Sequence, residues 1–165
     1  MKPDQLENLI DRVLREHGAA LRLYAATWTR SPDDCVQQAL IKLSVAEPLP
    51  DNLTAWLYRV VRNEAISMAR SERRRRRREQ QAAGQAGLFT PNFESELAVD
   101  ELAAALSALA TEIREVVVAK IWGGLTFAEI ADTAGCSSSA AHRRYQSGLE
   151  QLKEKLTRQL ELESE

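Results

Sequence analysis

Apolar residues recur at three- and four-residue steps through most of the chain, which is the spacing of amphipathic helices. The strongest such stretch is Leu53–Arg78. Its apolar positions are Leu53, Trp56, Leu57, Val60, Val61, Ala65 and Met68. They share one side of a helix, so we expect that side to face a core. Other residues point elsewhere: Tyr58, Arg59, Arg62, Asn63, Ile66, Ser67 and Arg70. Apart from Ile66, they form a polar face.

The same spacing predicts shorter helices before this stretch. An apolar stripe over residues 6–14 should form a first helix that stops near Gly18, followed by a second helix over about 19–29. Ser31 and Pro32 then suit the N-cap and the first position of a third helix, because serine accepts a backbone hydrogen bond there and proline needs none. This third helix should run to about Val45.

Two segments lack a helical stripe. Residues 47–52 contain two prolines and indicate a short, stiff loop. Residues 79–96 are rich in Gln, Ala and Gly, with only Leu88, Phe89 and Phe93 to bury. That composition is typical of a linker that is extended or disordered in isolation.

Helical spacing resumes after the linker. One stripe consists of Leu97, Leu102, Leu106 and Leu109. Thr111 is the expected N-cap of the next helix, which carries apolar residues up to Ile121. Gly123 and Gly124 should end it, because glycine readily adopts the backbone conformations found after a helix.

Residues 125–156 show a second distinctive pattern. Thr126 and Glu129 have the spacing of a capping box, in which each side chain bonds the other residue's backbone N–H. Gly135 can supply a turn and Ser137 can cap a following helix. That helix begins with small, polar and basic residues. A short helix, a glycine turn and such a second helix are typical of a DNA-binding helix-turn-helix, although an ordinary hairpin with solvated arginines has the same outline.

No stretch alternates polar and apolar residues long enough for a strand. We therefore expect an all-α fold with two small helical domains, 1–78 and 97–165, joined by a flexible linker over 79–96. The C-terminal domain should contain the helix-turn-helix. A chain of 165 residues is long enough for one domain or two small ones.

The net charge of the whole chain is small, but positive charge is concentrated in one segment. The formal net charge is −2, yet Arg70 and Arg73–Arg78 place seven guanidinium groups in nine positions. Like charge at this density indicates a polyanionic partner. No apolar run approaches the roughly 20 residues that span a bilayer, and no signal peptide is evident, so we expect a cytoplasmic protein.

Catalytic and metal chemistry find no support in the sequence. Cys35 and Cys136 have no second Cys or His at metal-ligand spacing, so two buried thiols are expected and no metal or other cofactor. No phosphate-cradling glycine loop, activated nucleophile or clustered His, Asp and Glu is present, so we expect a protein that is not an enzyme.

Three segments together resemble the small two-domain, extracytoplasmic-function (ECF) group of the bacterial sigma-70 factors. They are SPDDCVQQALIKL, TAWLYRVVRNEAISMARSERRRRRR and LTFAEIADTAGCSSSAAHRRYQSGLEQLKEKL. The resemblance covers nearly the whole chain outside the linker. It implies a dissociable subunit that directs core RNA polymerase to promoters and helps to open DNA. The implied partners are core polymerase through its β′ clamp and β flap, promoter DNA and an anti-sigma factor.

The resemblance also implies roles for individual residues. Core binding would fall to Asp34, Gln37 and Gln38. The −10 DNA would be bound by Asp51, Asn52, Tyr58, Arg59, Arg62, Asn63, Ser67 and Arg70, with the loop over 47–52 holding a flipped base. Non-specific DNA binding would fall to Arg73, Arg74, Arg75, Arg76, Arg77 and Arg78. The −35 DNA would be bound by Ser137, Ser138, Ser139, His142, Arg143 and Arg144.

The chain departs from the family pattern at several places, among them His142, where relatives often have a basic or small residue, and Ala110–Thr111, where many have a proline. Gln38 stands where relatives usually have an acidic residue, and Ala140 and Ala141 stand where a threonine and a branched apolar residue are common. Two other functions remain open on the residues alone. One is a stand-alone helix-turn-helix regulator with a basic arm, which would bind duplex DNA as a dimer without polymerase. The other is an RNA-binding adaptor built on the arginine tract.

Overall fold

Seven α-helices account for the secondary structure of residues 3–83 and 99–163, which are the residues described in a computed structural model of the chain. They are α1 (Pro3–Ala25), α2 (Pro32–Ser44), α3 (Leu53–Ala83), α4 (Val99–Ser107), α5 (Thr111–Ile121), α6 (Phe127–Ala134) and α7 (Ser138–Glu163). The predicted all-α class is confirmed. Most of the predicted linker, with Leu88, Phe89 and Phe93, lies outside the described residues, as does Leu97. The division into two domains at these boundaries stays a prediction.

The first helix is longer than the sequence indicated. We predicted a stop near Gly18 and a separate second helix, but α1 continues through Gly18 to Ala25. A glycine inside a helix costs only about 1 kcal/mol relative to alanine. Val13, Leu21 and Tyr24 are fully buried on either side of it. Their packing outweighs that local cost, so the prediction of a break was wrong.

The third predicted helix begins and ends almost where expected. Pro32 occupies the first turn of α2 and Ser31 precedes it. The serine side chain makes no cap hydrogen bond; instead its backbone N–H donates to Thr29 Oγ1 at 3.2 Å. Helix α3 then packs its predicted stripe inward, with Leu57, Val61 and Ala65 fully buried. The helix continues to Ala83, five residues past the predicted end at Arg78.

Helix α5 is the centre of the C-terminal part of the chain. It begins at Thr111 with Ala110 as its N-cap, one residue earlier than predicted, and Gly124 follows it with a positive φ of 64°. Helix α7 packs against α5 at Gly148, where a Cβ atom would come within 2.4 Å of Val117 Cγ2. Only glycine allows α7 to lie this close.

One charged side chain on α5 has a structural role that we did not predict from the sequence. Arg114 is buried and donates to three carbonyl oxygens at the end of α4, those of Leu106 at 2.7 Å, Ser107 at 2.6 Å and Leu109 at 2.8 Å. The last carbonyls of a helix have no partner within the helix. Arg114 therefore satisfies the C-terminus of α4 and fixes it against α5.

The N-terminal half (α1–α3) and the C-terminal half (α4–α7) pack against one another. Helix α3 contacts α6, and α1 contacts α5. The buried apolar residues form one cluster that includes members of both halves, from Val13 to Leu152. The surfaces that face each other across this contact include part of the predicted DNA-binding residues.

Candidate nucleic-acid and polymerase interfaces

The local signals around the start of α6 and α7 are confirmed. Thr126 caps α6 by accepting from the Glu129 N–H at 3.2 Å, and Glu129 accepts from the Thr126 N–H at 2.7 Å. Gly135 ends α6 in the left-handed region, with φ 68° and ψ 39°. Ser137 accepts from the Ala140 N–H at 3.0 Å and so caps α7. The turn that joins the two helices is thus fixed by its own side chains.

The beginning of α7 presents most of the predicted −35 residues to solvent. Those that are exposed are Ser137, Ser138, Ser139, His142 and Arg143, and Arg144 is half-buried. Ala141 is fully buried, so its small side chain serves packing and cannot contact DNA in this arrangement. Ala140 beside it is half-buried. The exposed residues form one continuous polar surface over the first two turns of α7.

His142 is held in place from α6. Its ring lies 5.0 Å from that of Phe127 at an interplanar angle of 78°, and Tyr145 contacts the same phenylalanine at 5.6 Å. The Lys120 ammonium group lies over the Phe127 ring, 4.8 Å from its centroid. Edge-to-face ring pairs of this kind restrict side-chain orientation. Phe127 therefore orients His142 at the exposed start of α7.

The polar face of α3 is exposed over part of its length. Arg59, Asn63, Ser67 and Arg70 are all at the surface. The arginine tract Arg73–Arg78 that follows them is helical, and each of its side chains is exposed except that of Arg76, which is half-buried. A cationic ridge therefore extends from the predicted −10 residues along the same helix.

Tyr58 does not lie on this exposed face. We predicted that its side chain points away from the core, but it is 0 % exposed. Its ring lies 4.8 Å from that of Tyr24 on α1, and burial raises its pKa. The placement was wrong because Tyr24 on α1 and Gly123 after α5 together cover this side of α3, which the periodicity of α3 alone cannot reveal. A stacking role for Tyr58 would require the halves to separate.

Arg62, another predicted −10 residue, is engaged by the C-terminal half. Its Nε donates to Glu115 Oε2 at 2.7 Å and its Nη2 to Oε1 at 3.4 Å. The guanidinium group also lies 5.5 Å from the Trp28 ring. The side chains of Arg62 and Glu115 are 21 % and 4 % exposed. Burial raises the pKa of Glu115, and the hydrogen bond and charge of Arg62 offset part of that rise.

The predicted base-flipping loop contacts the capping box of α6. Asn52 Nδ2 donates to Glu129 Oε1 at 2.5 Å, and Asn52 Oδ1 accepts from the Ala55 N–H at 3.0 Å, which caps α3. Asp51 beside it is exposed. Asn52 is thus both the cap of one helix and a contact between the halves, a double role that its place in the sequence did not indicate.

The predicted polymerase-binding residues form one surface of α2. Asp34, Gln37 and Gln38 are all exposed. One turn further along, Ile41 and Val45 are 56 % and 75 % exposed. Neither residue was singled out from the sequence, although their spacing from Gln37 and Gln38 places them on the same face. The surface is therefore polar at the start of α2 and apolar at its end.

The two cysteines differ in their surroundings. Cys35 is buried, as predicted, and burial raises the pKa of its thiol to about 12. Cys136 was also expected to be buried but is only half-buried. None of the described helices is long and apolar enough to cross a membrane.

Comparison with known proteins agrees with this architecture. A family model described as "ECF sigma factor" matches residues 6–161. The fold is similar to the sigma factor RpoE from Bartonella quintana, whose structure was solved with the anti-sigma factor NepR. That match has a TM-score of 0.64 and 23 % identity, over 92 % of this chain and 98 % of the other. It is also similar to CnrH, solved in complex with the cytosolic domain of CnrY, with a TM-score of 0.62 and 23 % identity over 92 % and 89 %. No curated protein sequence matches the chain.

The family match extends over most of the chain and includes both halves. The chain therefore belongs to the ECF sigma factor family. Proteins of this family are non-enzymatic initiation factors that give RNA polymerase its choice of promoter. The resemblance inferred from the three sequence segments is confirmed, and with it the main function.

Proposed function

We propose that the chain divides promoter recognition between its halves. Helix α3 and the loop before it bind and open the −10 element, and the start of α7 binds the −35 element. The observation that carries this division is the exposure of two polar surfaces on separate helices. Asn63 and its neighbours lie on α3, whereas His142 and Arg143 lie on α7. A bidentate arginine in the major groove can read guanine, and an exposed asparagine can read adenine or an unpaired base.

The face of α2 that contains Asp34, Gln37 and Gln38 is the proposed contact with the β′ clamp of core polymerase, and the C-terminal half is the proposed contact with the β flap. The exposed Ile41 and Val45 supply apolar area next to the polar residues, which suits a protein interface with an apolar centre and a polar rim. The protein then acts in the cytoplasm, where polymerase is, without catalysis or a cofactor of its own. An anti-sigma factor is a further proposed partner.

In vitro transcription with core polymerase and a promoter library tests this function. The expected result is co-migration of the chain with core polymerase and specific starts at a subset of promoters. Glu7→Ala, exposed on α1 and outside each proposed interface, is the matched control and should behave as the unchanged protein. Failure to bind core and to support any start would contradict the proposal. Tight duplex binding as a dimer without polymerase would favour a stand-alone regulator.

A further inference from the structure

Glu115 lies where residues proposed for the two promoter elements approach one another. Arg62 on α3 donates two hydrogen bonds to its carboxylate. Burial raises the pKa of Glu115. The hydrogen bond and charge of Arg62 and, to a smaller extent, the charge of Arg144 on α7 oppose this rise, so Arg144 lies near enough to interact electrostatically with Glu115. One carboxylate thus pairs with a cation proposed to bind −10 DNA and lies close to a cation proposed to bind −35 DNA.

A carboxylate offers an arginine the same chemistry as a DNA phosphate. Both present two anionic oxygens that match the parallel N–H donors of a guanidinium group. The Nε and Nη2 donors of Arg62 are both directed at Glu115. The same two donors cannot also bind a phosphate, so the bidentate contact with Glu115 and a bidentate phosphate contact through this edge of the guanidinium group exclude one another.

We propose that Glu115 is an internal competitor of promoter DNA, whose ion pair with Arg62 holds the two halves together in the free protein and keeps part of the −10 surface closed. DNA phosphate replaces the carboxylate when the halves separate. This inference rests on the proposed function, because it takes Arg62 to be a DNA contact. It adds a role for Glu115, which belongs to none of the proposed binding surfaces.

Three polar features of the contact between the halves are consistent with its opening. The Tyr58 hydroxyl is buried and has no hydrogen-bond partner within the described parts of the chain. The missing hydrogen bond costs free energy, and this cost disappears when the halves separate and water reaches the hydroxyl. Forming the buried ion pair of Arg62 and Glu115 removes both charges from water, which offsets much of their attraction, whereas removing one partner leaves the other charge buried and unpaired, which is strongly destabilising. The Asn52–Glu129 hydrogen bond lies at the exposed edge. Water or phosphate can replace each of these polar contacts.

Glu115→Ala is the direct test, and Glu112→Ala is its matched control. Glu112 is exposed on the same helix, so both variants lose one negative charge but only the first removes the partner of Arg62. Small-angle X-ray scattering of the full chain without DNA reports the separation of the halves. Binding of a fluorescein-labelled, random-sequence single strand of about 12 nucleotides, within the usual site size, reports access to the DNA surface.

The expected result for Glu115→Ala is a larger radius of gyration and an affinity for the single strand that rises by about tenfold, because apparent affinity increases with the competent fraction. Glu112→Ala should keep the original radius. An unchanged radius for Glu115→Ala overturns the proposal. A larger radius without higher affinity also overturns it, since DNA and Glu115 would then not compete. Neither outcome bears on promoter-specific initiation, which the transcription assay measures separately.

An exchange of the two charges distinguishes loss of the ion pair from a general folding defect. Arg62→Glu alone places two carboxylates together and should enlarge the radius of gyration. Combined with Glu115→Arg, it restores an ion pair of reversed polarity and should return the radius to its original value, while single-strand binding stays low because position 62 is now acidic. If the double variant remains extended, the pairing does not hold the halves together and the proposal is rejected.

Discussion

Gly123, in the loop after α5, lies directly against the ring of Tyr58 on α3. A Cβ atom at position 123 would come within 2.6 Å of Tyr58 Cζ and within 2.5 Å of the Ala119 carbonyl oxygen. The absence of a side chain therefore allows this loop to approach α3 and close over the tyrosine. This close approach, together with Tyr24 on α1, explains why Tyr58 on the polar side of α3 is fully buried. It also places the end of α5 against the predicted −10 surface.

Two glycines inside helices should respond to alanine in opposite ways. Gly148→Ala places a Cβ atom 2.4 Å from Val117 Cγ2, a branched side chain that cannot turn aside, so we expect a loss of about 1–2 kcal/mol in the free energy of unfolding. Gly18→Ala meets nothing nearer than 3.6 Å and should gain about 0.5–1 kcal/mol from helix propensity. Urea unfolding followed by circular dichroism measures both. Equal effects would show that α7 does not depend on the close approach to α5.

Arg114 should be among the residues most sensitive to substitution in the C-terminal half. Arg114→Ala leaves the carbonyl oxygens at the end of α4 without their donor in a buried site, which we expect to cost about 3 kcal/mol. Arg114→Lys keeps the charge but not the fork of donors, so it should recover only part of this loss. Arg158→Ala, exposed on α7, is the control and should change thermal stability little. Full recovery by lysine would contradict the role of the fork.

Local signals in the sequence predicted local structure well. Thr126, Glu129, Gly135 and Ser137 act on backbone groups within a few residues of themselves, so their spacing was sufficient. The break expected at Gly18 was wrong because the small cost of one glycine is outweighed by packing that its neighbours make with other helices. Sequence patterns show the local cost of a glycine but not the packing of its neighbours against other helices.

The contact between the halves could not be predicted in the same way. Arg62 and Glu115 are 53 residues apart, and either one alone looks like an ordinary surface charge. Burial of Tyr58 likewise depends on Gly123 in the other half. Arg114 did offer a signal, since Val117 and Val118 follow it at three- and four-residue spacing and place it on an apolar face of α5. A buried charge at such a position is usually paired or hydrogen-bonded. That rule would have identified Arg114 as a residue with buried hydrogen-bond partners.

The capping box of α6 should make stability depend on pH. The hydrogen bond from the Thr126 N–H lowers the pKa of Glu129 below its ordinary value of 4.5. A carboxylate whose pKa is lower in the folded than in the unfolded state stabilises the folded state at pH values above the unfolded-state pKa. That contribution is lost as the pH falls through the folded-state pKa. Glu129→Gln can still complete the capping box as a neutral group, so we expect it to lose only the charge contribution, about 0.3–1 kcal/mol at pH 7, and this loss vanishes in acid.

Urea unfolding between pH 7 and pH 3 measures this dependence. Glu150→Gln, exposed on α7 and outside any cap, is the control for a general loss of negative charge. The difference between the original protein and Glu129→Gln should shrink as the pH falls, whereas the difference for Glu150→Gln should stay near zero. A constant difference for Glu129→Gln would show that its charge does not contribute to the cap.

Arg143 should contribute to the choice of −35 sequence. It is exposed on the first turns of α7, and a bidentate contact with guanine is worth about 1–3 kcal/mol of discrimination. We expect Arg143→Ala to weaken initiation in vitro at promoters whose −35 element carries that guanine, and to reduce the difference between them and mutated promoters. Arg158→Ala, toward the far end of the same helix, should leave promoter choice unchanged. Loss of activity that is uniform over all promoters would indicate a phosphate contact instead.

The arginine tract Arg73–Arg78 should supply affinity without selectivity, in contrast to Asn63 upstream on the same helix. Replacing the six arginines with glutamine keeps the helix but removes the ridge of charge. The slope of log affinity against log salt for duplex DNA should then fall by about 0.9 for each phosphate that the tract no longer neutralises, equally for every promoter tested. Asn63→Ala removes an exposed hydrogen-bonding group and no charge. It should therefore leave the salt slope unchanged and alter which promoters open. A tract variant that changes promoter preference, or an Asn63 variant that changes only affinity, would reverse this assignment of selectivity along α3.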